Sequence, residues 1–325
     1  MRAVIAKQPG GPEQLAYTEM DDPVLNTGEI LIEVHATTVN RTDILNREGK
    51  TGYAQNPIIG IEVAGLVAET NGNKEFSIGD RVMGLVNGGA YAEKVAMPAN
   101  RAMRIPESLS FEEAAAIPEV FLTAFQTLYW LGNLKKHETV LVHAGGSGVG
   151  TAAIQLAKKL SQAQVLTTAG TEEKLQVCKQ LGADVLINYK STSFDEKVLE
   201  ATNEKGAHLI LDFIGASYWS KNYRSVSTDG RWVLIGVLGG STVESVKLMD
   251  LMVKRIQLTG TLLTPRSDQY KADLTKDFMK RTSALFENKS LLPIIDQIFP
   301  IEEVAKAHQH MESNKNIGKI ILKVK

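Results

Sequence analysis

Apolar positions follow two different patterns along the chain. Over residues 1–105 they form short runs, at 3–6, 29–36, 63–69, 80–85 and 91–96. These are cut by GGP at 10–12, NTG at 26–28, NGN at 71–73 and NGG at 87–89. Short strands with such turns predict a compact, mainly β, barrel-like domain. Within it, residues 39–49 space Val39, Asp43, Ile44 and Leu45 as a helix does. From Ser110 the texture changes. Ser110 and Glu113 form an S-x-x-E capping box before an Ala-rich helix that Pro118 interrupts, and a second helix over 119–131 stops at Gly132.

From Thr139 onward strands and helices alternate. Strands are expected at 139–143, 164–168, 184–187, 209–213 and 232–235, with helices between them, for example at 173–181 and 193–202. Such alternation predicts an α/β unit with a doubly wound parallel sheet that binds its ligand at the carboxyl ends of the strands. After about residue 258 come a polar helix at 268–288, an amphipathic one at 301–313 and a last strand at 318–324. That strand fits a return to the first domain. The expectation is a discontinuous mainly-β domain, 1–118 with 260–325, into which a cofactor domain, 119–259, is inserted.

The chemistry concentrates where the first parallel strand ends. TVLVHAGGSGVGTAAIQLAKKL, 139–160, reads strand, glycine turn, helix. Glycines let a ligand approach the backbone, and the helix start offers unpaired N–H groups and a positive dipole end, so a dinucleotide pyrophosphate fits. Ser147 stands where G-x-G-x-x-G has its middle glycine. About 20 residues on, where a NAD site usually has a carboxylate for the ribose 2′-OH, the chain reads Thr168, Ala169, Gly170, Thr171, with Lys174 one turn later. A 2′-phosphate suits Gly170, Thr171 and Lys174, which makes NADPH the expected cofactor. Glu172 and Glu173 read as first-turn residues that compensate the helix dipole.

Charge and cysteine content narrow the partners. Lys plus Arg number 36 against 37 Asp plus Glu, so no global field attracts nucleic acid or an anionic membrane. The single cysteine, Cys178, excludes an internal disulfide and fits a reducing, cytoplasmic setting. No apolar run reaches the ~18 residues of a membrane span, and the N-terminal stretch reads as neither a signal nor a transit peptide.

The chain also resembles a known family along nearly its whole length. The likeness rests on VNRTD (39–43), GIEVAG (60–65), GDRVMGL (79–85), GGAYAE (88–93), residues 118–126, HAGGSGVGTAAIQLAK (143–158), LGAD with INY (181–189), GRWVLIG (230–236) and NKNIGKIIL (314–322). In these pieces the chain is similar to the zinc-free quinone oxidoreductase branch of the medium-chain dehydrogenase/reductase superfamily. Within that branch it looks most like the tumour-suppressor-inducible, NADPH-dependent group and its bacterial relatives. The resemblance implies a GroES-like catalytic domain with an inserted Rossmann domain, NADPH as cofactor, and a homodimer joined through the edge of the Rossmann sheet. It places the pyrophosphate on Ser147, Gly148, Val149 and Gly150, and the 2′-phosphate on Gly170, Thr171, Lys174 and Tyr189. Gly236, Leu238, Leu262, Leu263 and Thr264 would flank the nicotinamide, Asn316 would touch the cofactor, and Asn40 and Thr123 would point to the reacting ring. Where the family commonly shows R-x-G-x-Y, this chain has Arg47, Gly49 and Thr51; the aromatic role would pass to Tyr53.

The zinc enzymes of the superfamily use a Cys and a Gly-His-Glu motif, where this chain has Asn40 and Gly60, Ile61, Glu62. No metal is therefore expected. Among its six histidines only His308 and His310 are close in sequence, and an i, i+2 pair on a helix does not share a face. Without a Lewis acid, alcohol oxidation is disfavoured. Reduction of a quinone requires mainly that cofactor and acceptor be positioned and water excluded. The expected activity is zinc-independent, NADPH-dependent quinone reduction by hydride or one-electron transfer, with Asn40, Tyr53 and Thr123 at the reacting centre. Two alternatives remain: an NADPH-dependent reductase of α,β-unsaturated ketones or enoyl thioesters, and an NADPH-binding redox sensor or RNA-binding protein.

Overall fold

All four residues of the strand Thr139–Val142 are buried, the burial a parallel strand acquires when helices cover both faces of its sheet. In the computed structural model, which describes residues 1–51 and 56–325, this strand sits inside one of two compact units. The first unit is Met1–Leu122 with Thr264–Lys325, and the second is Thr123–Leu263.

The second unit is a six-stranded parallel sheet. In spatial order its strands are Val185–Asn188, Gln164–Ala169, Thr139–Val142, Ala207–Asp212, Val226–Leu234 and Gln257–Gly260. Numbered along the chain this is 3-2-1-4-5-6, the doubly wound order, whose direction reverses between the first and fourth strands. The glycine turn follows the first strand and so lies at that switch point. Leu141, Leu166, Ile187, Ile210 and Trp232 form the core with Phe194 and Val198 of the helix Phe194–Ala201. The strand expected at 232–235 begins earlier, at Val226, because Ala207 and Val226 already pair across a register shift.

The first unit is built on the eleven-residue strand Glu29–Val39, which pairs antiparallel with Lys94–Pro98, Glu62–Thr70 and Lys319–Lys323. The C-terminal strand therefore does return to the β sheet of the N-terminal region. It is flanked by a parallel strand, Ile295–Pro300, that sequence patterning did not reveal. Residues 91–93, expected to open a strand, precede Lys94–Pro98; Tyr91 is buried and its carbonyl accepts the Val4 N–H at 2.8 Å. The Ser110–Glu113 capping box opens the helix Phe111–Ala115. Pro118 starts the next helix, Pro118–Phe125, where a missing N–H costs nothing. That helix widens into a π-helical turn, Gln126–Leu131, closed by Gly132 N–H donating to the Thr127 carbonyl at 3.0 Å.

Candidate active site and cofactor cradle

At the end of Thr139–Val142 the chain turns through Ala144, at a left-handed φ of 51°, into the helix Gly148–Ser161. A Cβ on Gly145 would lie 2.0 Å from Thr167 Oγ1 and 2.9 Å from Cys178 Sγ, so no side chain is tolerated there. Ser147 is the N-cap, and its Oγ accepts the Gly150 N–H at 3.1 Å. The cap uses the Gly150 donor. Gly148 and Val149 keep the first-turn N–H groups that helix geometry leaves without intrahelical acceptors, at the positive end of the dipole. The strand beside it, Gln164–Ala169, ends at Gly170, and Thr171 caps the helix Glu172–Gln180 by accepting the Lys174 N–H at 3.3 Å.

These two turns and a third one converge. A Cβ on Gly146 would meet Lys174 Cγ and Cδ at 3.0 Å, and a Cβ on Gly170 would meet Tyr189 Oη at 2.6 Å and Lys190 Cε at 3.1 Å. Gly170, Thr171, Lys174 and Tyr189 thus share one corner beside the glycine turn. Lys190 joins them, a second ammonium that sequence reasoning missed although it follows Tyr189 directly. No carboxylate occupies the position after the second strand; Glu172 is exposed and accepts from Gln176 Nε2 at 2.6 Å. Two ammonium groups, a hydroxyl-capped helix start and a floor without a Cβ suit a phosphate monoester.

Beneath this corner a buried polar relay fixes the strand ends. His143 Nε2 donates to Asn222 Oδ1 at 2.7 Å, and its Nδ1 accepts from Thr168 Oγ1 at 3.0 Å. Asn222 Nδ2 and Trp232 Nε1 each donate to Asp212 Oδ2 at 3.0 Å. Asp212 Oδ1 accepts the Ile214 and Gly215 N–H groups at 2.7 and 3.0 Å. Burial lowers the His143 pKa, so it stays neutral as a structural tie. At the far side of the switch point, Gly236 and Leu238 donate backbone N–H groups to Asp212 and Phe213 carbonyls. Leu238 and Leu262 are 67% and 57% exposed, whereas Leu263 is buried.

In the first unit Asn40 enters a buried charge cluster. Its Nδ2 donates to Glu62 Oε1 at 2.9 Å and to Thr38 Oγ1 at 3.3 Å, and its Oδ1 accepts from Lys319 Nζ at 2.6 Å. Lys319, 3% exposed, also pairs with Glu62 Oε1 at 2.8 Å. Thr38 Oγ1 donates to the same oxygen, and the Glu119 N–H, in the first turn of Pro118–Phe125, donates to Glu62 Oε2 at 2.7 Å. Sheet register explains the assembly: Val39 pairs with Ile320 and Thr37 with Val63, so Asn40 falls opposite Lys319 and Thr38 opposite Glu62. Both Asn40 amide hydrogens are engaged inward.

A second chain of bonds leads away from Asn40. Its N–H donates to Asp43 Oδ2 at 2.8 Å, and the Tyr91 hydroxyl donates to that oxygen at 3.3 Å. His308 Nε2 stands 3.2 Å from Tyr91 Oη, and Arg47 Nη1 lies 3.3 Å from His308 Nδ1. Arg47 also pairs with Glu312 at 2.6 Å. Burial and the nearby Arg47 push His308 down to about 3, so it is neutral. Asp43 Oδ1 has no partner among the described residues, and burial pushes this carboxyl up to about 7. The sign follows: below about pH 4 Asp43 is protonated folded and unfolded, and between about 4 and 7 only the unfolded chain ionises. Asp43 therefore removes stability as pH rises through that window. Asp43→Asn is expected to gain stability relative to wild type from pH 4 to 7 and to hold a constant difference above it, read by urea melts at each pH.

Of the remaining expected site residues, Thr123 is buried in Pro118–Phe125 and its carbonyl accepts from Thr127 Oγ1 at 2.8 Å. Asn316 Nδ2 donates to the Gly318 carbonyl at 3.0 Å, closing its own turn. Thr264 opens the C-terminal part of the first unit, apart from Leu262 and Leu263 of the second. Tyr53 lies outside the described residues. Among the described residues no helix is long and apolar enough to cross a membrane.

Comparison with known proteins agrees with the fold. Residues 26–107 match the alcohol dehydrogenase GroES-like domain, and residues 148–278 match the zinc-binding dehydrogenase family. The chain is 32% identical to the human quinone oxidoreductase, over 99% of this chain and 97% of that protein. It is 30% identical to the mouse synaptic vesicle membrane protein VAT-1 homolog-like, over 100% of this chain and 81% of that one. The crystal structure of Escherichia coli quinone oxidoreductase complexed with NADPH superposes with a TM-score of 0.90 at 28% identity, covering both chains completely. The chain belongs to the medium-chain dehydrogenase/reductase superfamily, in its quinone oxidoreductase branch, and is an oxidoreductase with a nicotinamide cofactor.

Proposed function

We propose that the protein is a zinc-independent NADPH:quinone oxidoreductase. One observation carries the reading: the donors a zinc ion would need are already used. Both Glu62 oxygens accept protein hydrogen bonds, and Asn40 is held by Thr38, Glu62 and Lys319. An ammonium already neutralises the carboxylate, so a divalent ion would have to displace it. The site does not fit the metal named in the family description, and an alcohol would find no Lewis acid there.

Bound NADPH supplies the hydride; the protein supplies position. Gly148 and Val149 are assigned to the pyrophosphate, and Gly170, Thr171, Lys174 and Tyr189, with Lys190, to the 2′-phosphate. In the first unit Lys319 and Glu62 hold Asn40, the residue assigned to the reacting ring. A quinone delocalises the incoming charge itself, which makes it the acceptor such a metal-free site serves best. The test is turnover of NADPH with 1,2-naphthoquinone and, separately, with an alkenal, each with and without a zinc chelator. Hydroquinone formation insensitive to chelator is expected; a saturated aldehyde as the sole product would favour the enone reductase instead.

We also propose a homodimer through the Gln257–Gly260 edge. That strand ends the sheet, and Leu248, Met249, Met252 and Val253 of the adjoining helix are each about two-thirds exposed. A bare strand edge beside an apolar patch is a surface for a second copy. Met252→Glu with Leu248→Glu is expected to yield monomers by analytical ultracentrifugation where wild type sediments as a dimer. With a single buried cysteine, the proposed location is the cytoplasm.

A further inference from the structure

The first unit holds a cavity of about 460 Å³, within the ~300–1,000 Å³ range of small-molecule sites. Ile59, Ile61, Arg47, Arg266 and Lys271 help line it. Ile61 precedes Glu62, and Arg47 ends the helix Arg41–Arg47 that Asn40 opens, so the cavity shares its elements with the Asn40 cluster. Three of its walls are cationic, and none of its described walls is a carboxylate.

The cations there are held in different ways. Arg47 is neutralised by Glu312 at 2.6 Å, and Arg266 stacks over the Tyr270 ring at 4.8 Å. Lys271, only 4% exposed, has one hydrogen-bond partner among the described residues, Asn87 Oδ1 at 2.8 Å. The same oxygen accepts from Arg101 Nη1 at 3.0 Å. Asp268 pairs with Arg101 at 3.0 Å and accepts from Asn87 Nδ2 at 3.2 Å, and Glu29 is a second carboxylate near enough to act on Arg101. Arg101 Nε is buried without a partner among the described residues. Both carboxylates act on Arg101, while the buried Lys271 ammonium contacts only a neutral amide oxygen among the described residues, an arrangement that is costly until an anion completes it. Burial and Arg101 push Lys271 down to about 8, which still leaves it charged at neutral pH.

We infer that this cavity binds an oxyanionic substituent of the acceptor, a carboxylate or sulfonate on a quinone or conjugated ketone, with Lys271 as its counter-charge. The inference deepens the proposed quinone reading and rests on it. The apolar wall of Ile59 and Ile61 takes the ring, and the lysine end takes the anion. Selectivity among acceptors then comes from a charge that a neutral quinone leaves uncompensated.

Binding is measured without turnover. 2-Naphthalenesulfonate and neutral 2-acetylnaphthalene are titrated calorimetrically into the full chain saturated with NADP⁺, so that the phosphate corners are filled. The sulfonate is expected to bind at least about tenfold tighter at pH 7. Its advantage should shrink from pH 7 to 9 as Lys271 loses its proton; the other charged groups around it are Arg47, Arg101 and Arg266 and the carboxylates of Asp268 and Glu29. Lys271→Met should abolish it, and Lys271→Arg should keep it at pH 9; the wild-type pH series stands even where a variant fails to fold. Equal binding of the two probes, or a preference that Lys271→Met retains, overturns the inference. Turnover with 1,2-naphthoquinone and its 4-sulfonate separates the two readings. No reduction of either beside a clear sulfonate preference in binding removes the quinone assignment alone. Reduction without any sulfonate advantage removes the anion pocket alone.

Discussion

Lys319→Met is expected to cost about 3–5 kcal/mol of stability, the range for breaking a buried ion pair from one side. The ammonium is the countercharge of Glu62, which is fully buried, and the donor to Asn40 Oδ1. Without it the carboxylate keeps Thr38, Asn40 and the Glu119 N–H but loses its opposite charge. Asn40 keeps its Nδ2 bonds to Thr38 and Glu62 but loses the donor to its Oδ1, which loosens its position, so quinone turnover should fall along with stability. Lys319→Arg should recover part of both, because the charge returns in a bulkier, planar form. Combining Lys319→Met with Glu62→Gln should destabilise by about 1–3 kcal/mol less than the sum of the two single changes. Urea melts read both results; a loss below about 1 kcal/mol for Lys319→Met would mean that the cluster is not the anchor of this site.

Lys174→Met should weaken NADPH binding by about 10–100-fold, the equivalent of one charge-assisted hydrogen bond at about 1.5–3 kcal/mol. NADH lacks the 2′-phosphate and should be nearly unaffected, so the preference between cofactors collapses. Lys174 lies against Gly146 while Lys190 and Tyr189 lie against Gly170, so a 2′-phosphate bound there would have cations on two sides. Lys190→Met should act in the same direction, and Lys174→Met with Lys190→Met together should bring the two cofactors level. Gly170→Ala gives an independent check: its Cβ would stand 2.6 Å from Tyr189 Oη, displacing the ring and weakening NADPH more than NADH. Fluorescence titration with each cofactor measures the whole series, and an unchanged NADPH affinity in Lys174→Met would remove that lysine from the site.

The parallel unit was legible because its signals are local. Strand runs such as Thr139–Val142, the glycine turn and the Thr171 cap each declare themselves within a few residues. The C-terminal strand was legible by exclusion: a lone β run after two helices had to return to the first sheet, and it pairs with Glu29–Val39. Ile295–Pro300 and Leu15–Glu19 carry mixed, half-exposed patterns that mark a strand only once a neighbour is present. The Asn40 cluster shows the same limit in chemistry. Asn40, Glu62 and Lys319 each sat in a motif that could be quoted, yet nothing in spacing joins residues 279 positions apart. Sheet register does so. Lys271 and Arg101 are further examples, ordinary charges in sequence that become neighbouring buried cations only when Asn87 brings them together.

The most direct test of the central claim is a paired one: NADPH and NADH affinities by fluorescence, then oxidation of each by 1,2-naphthoquinone. Tighter binding of NADPH, with hydroquinone formed at a rate that follows NADPH occupancy, is the result predicted here. Tight NADPH binding with no oxidation by quinone or alkenal would contradict it, keeping the fold and the phosphate corner and turning the protein into a sensor of the cofactor.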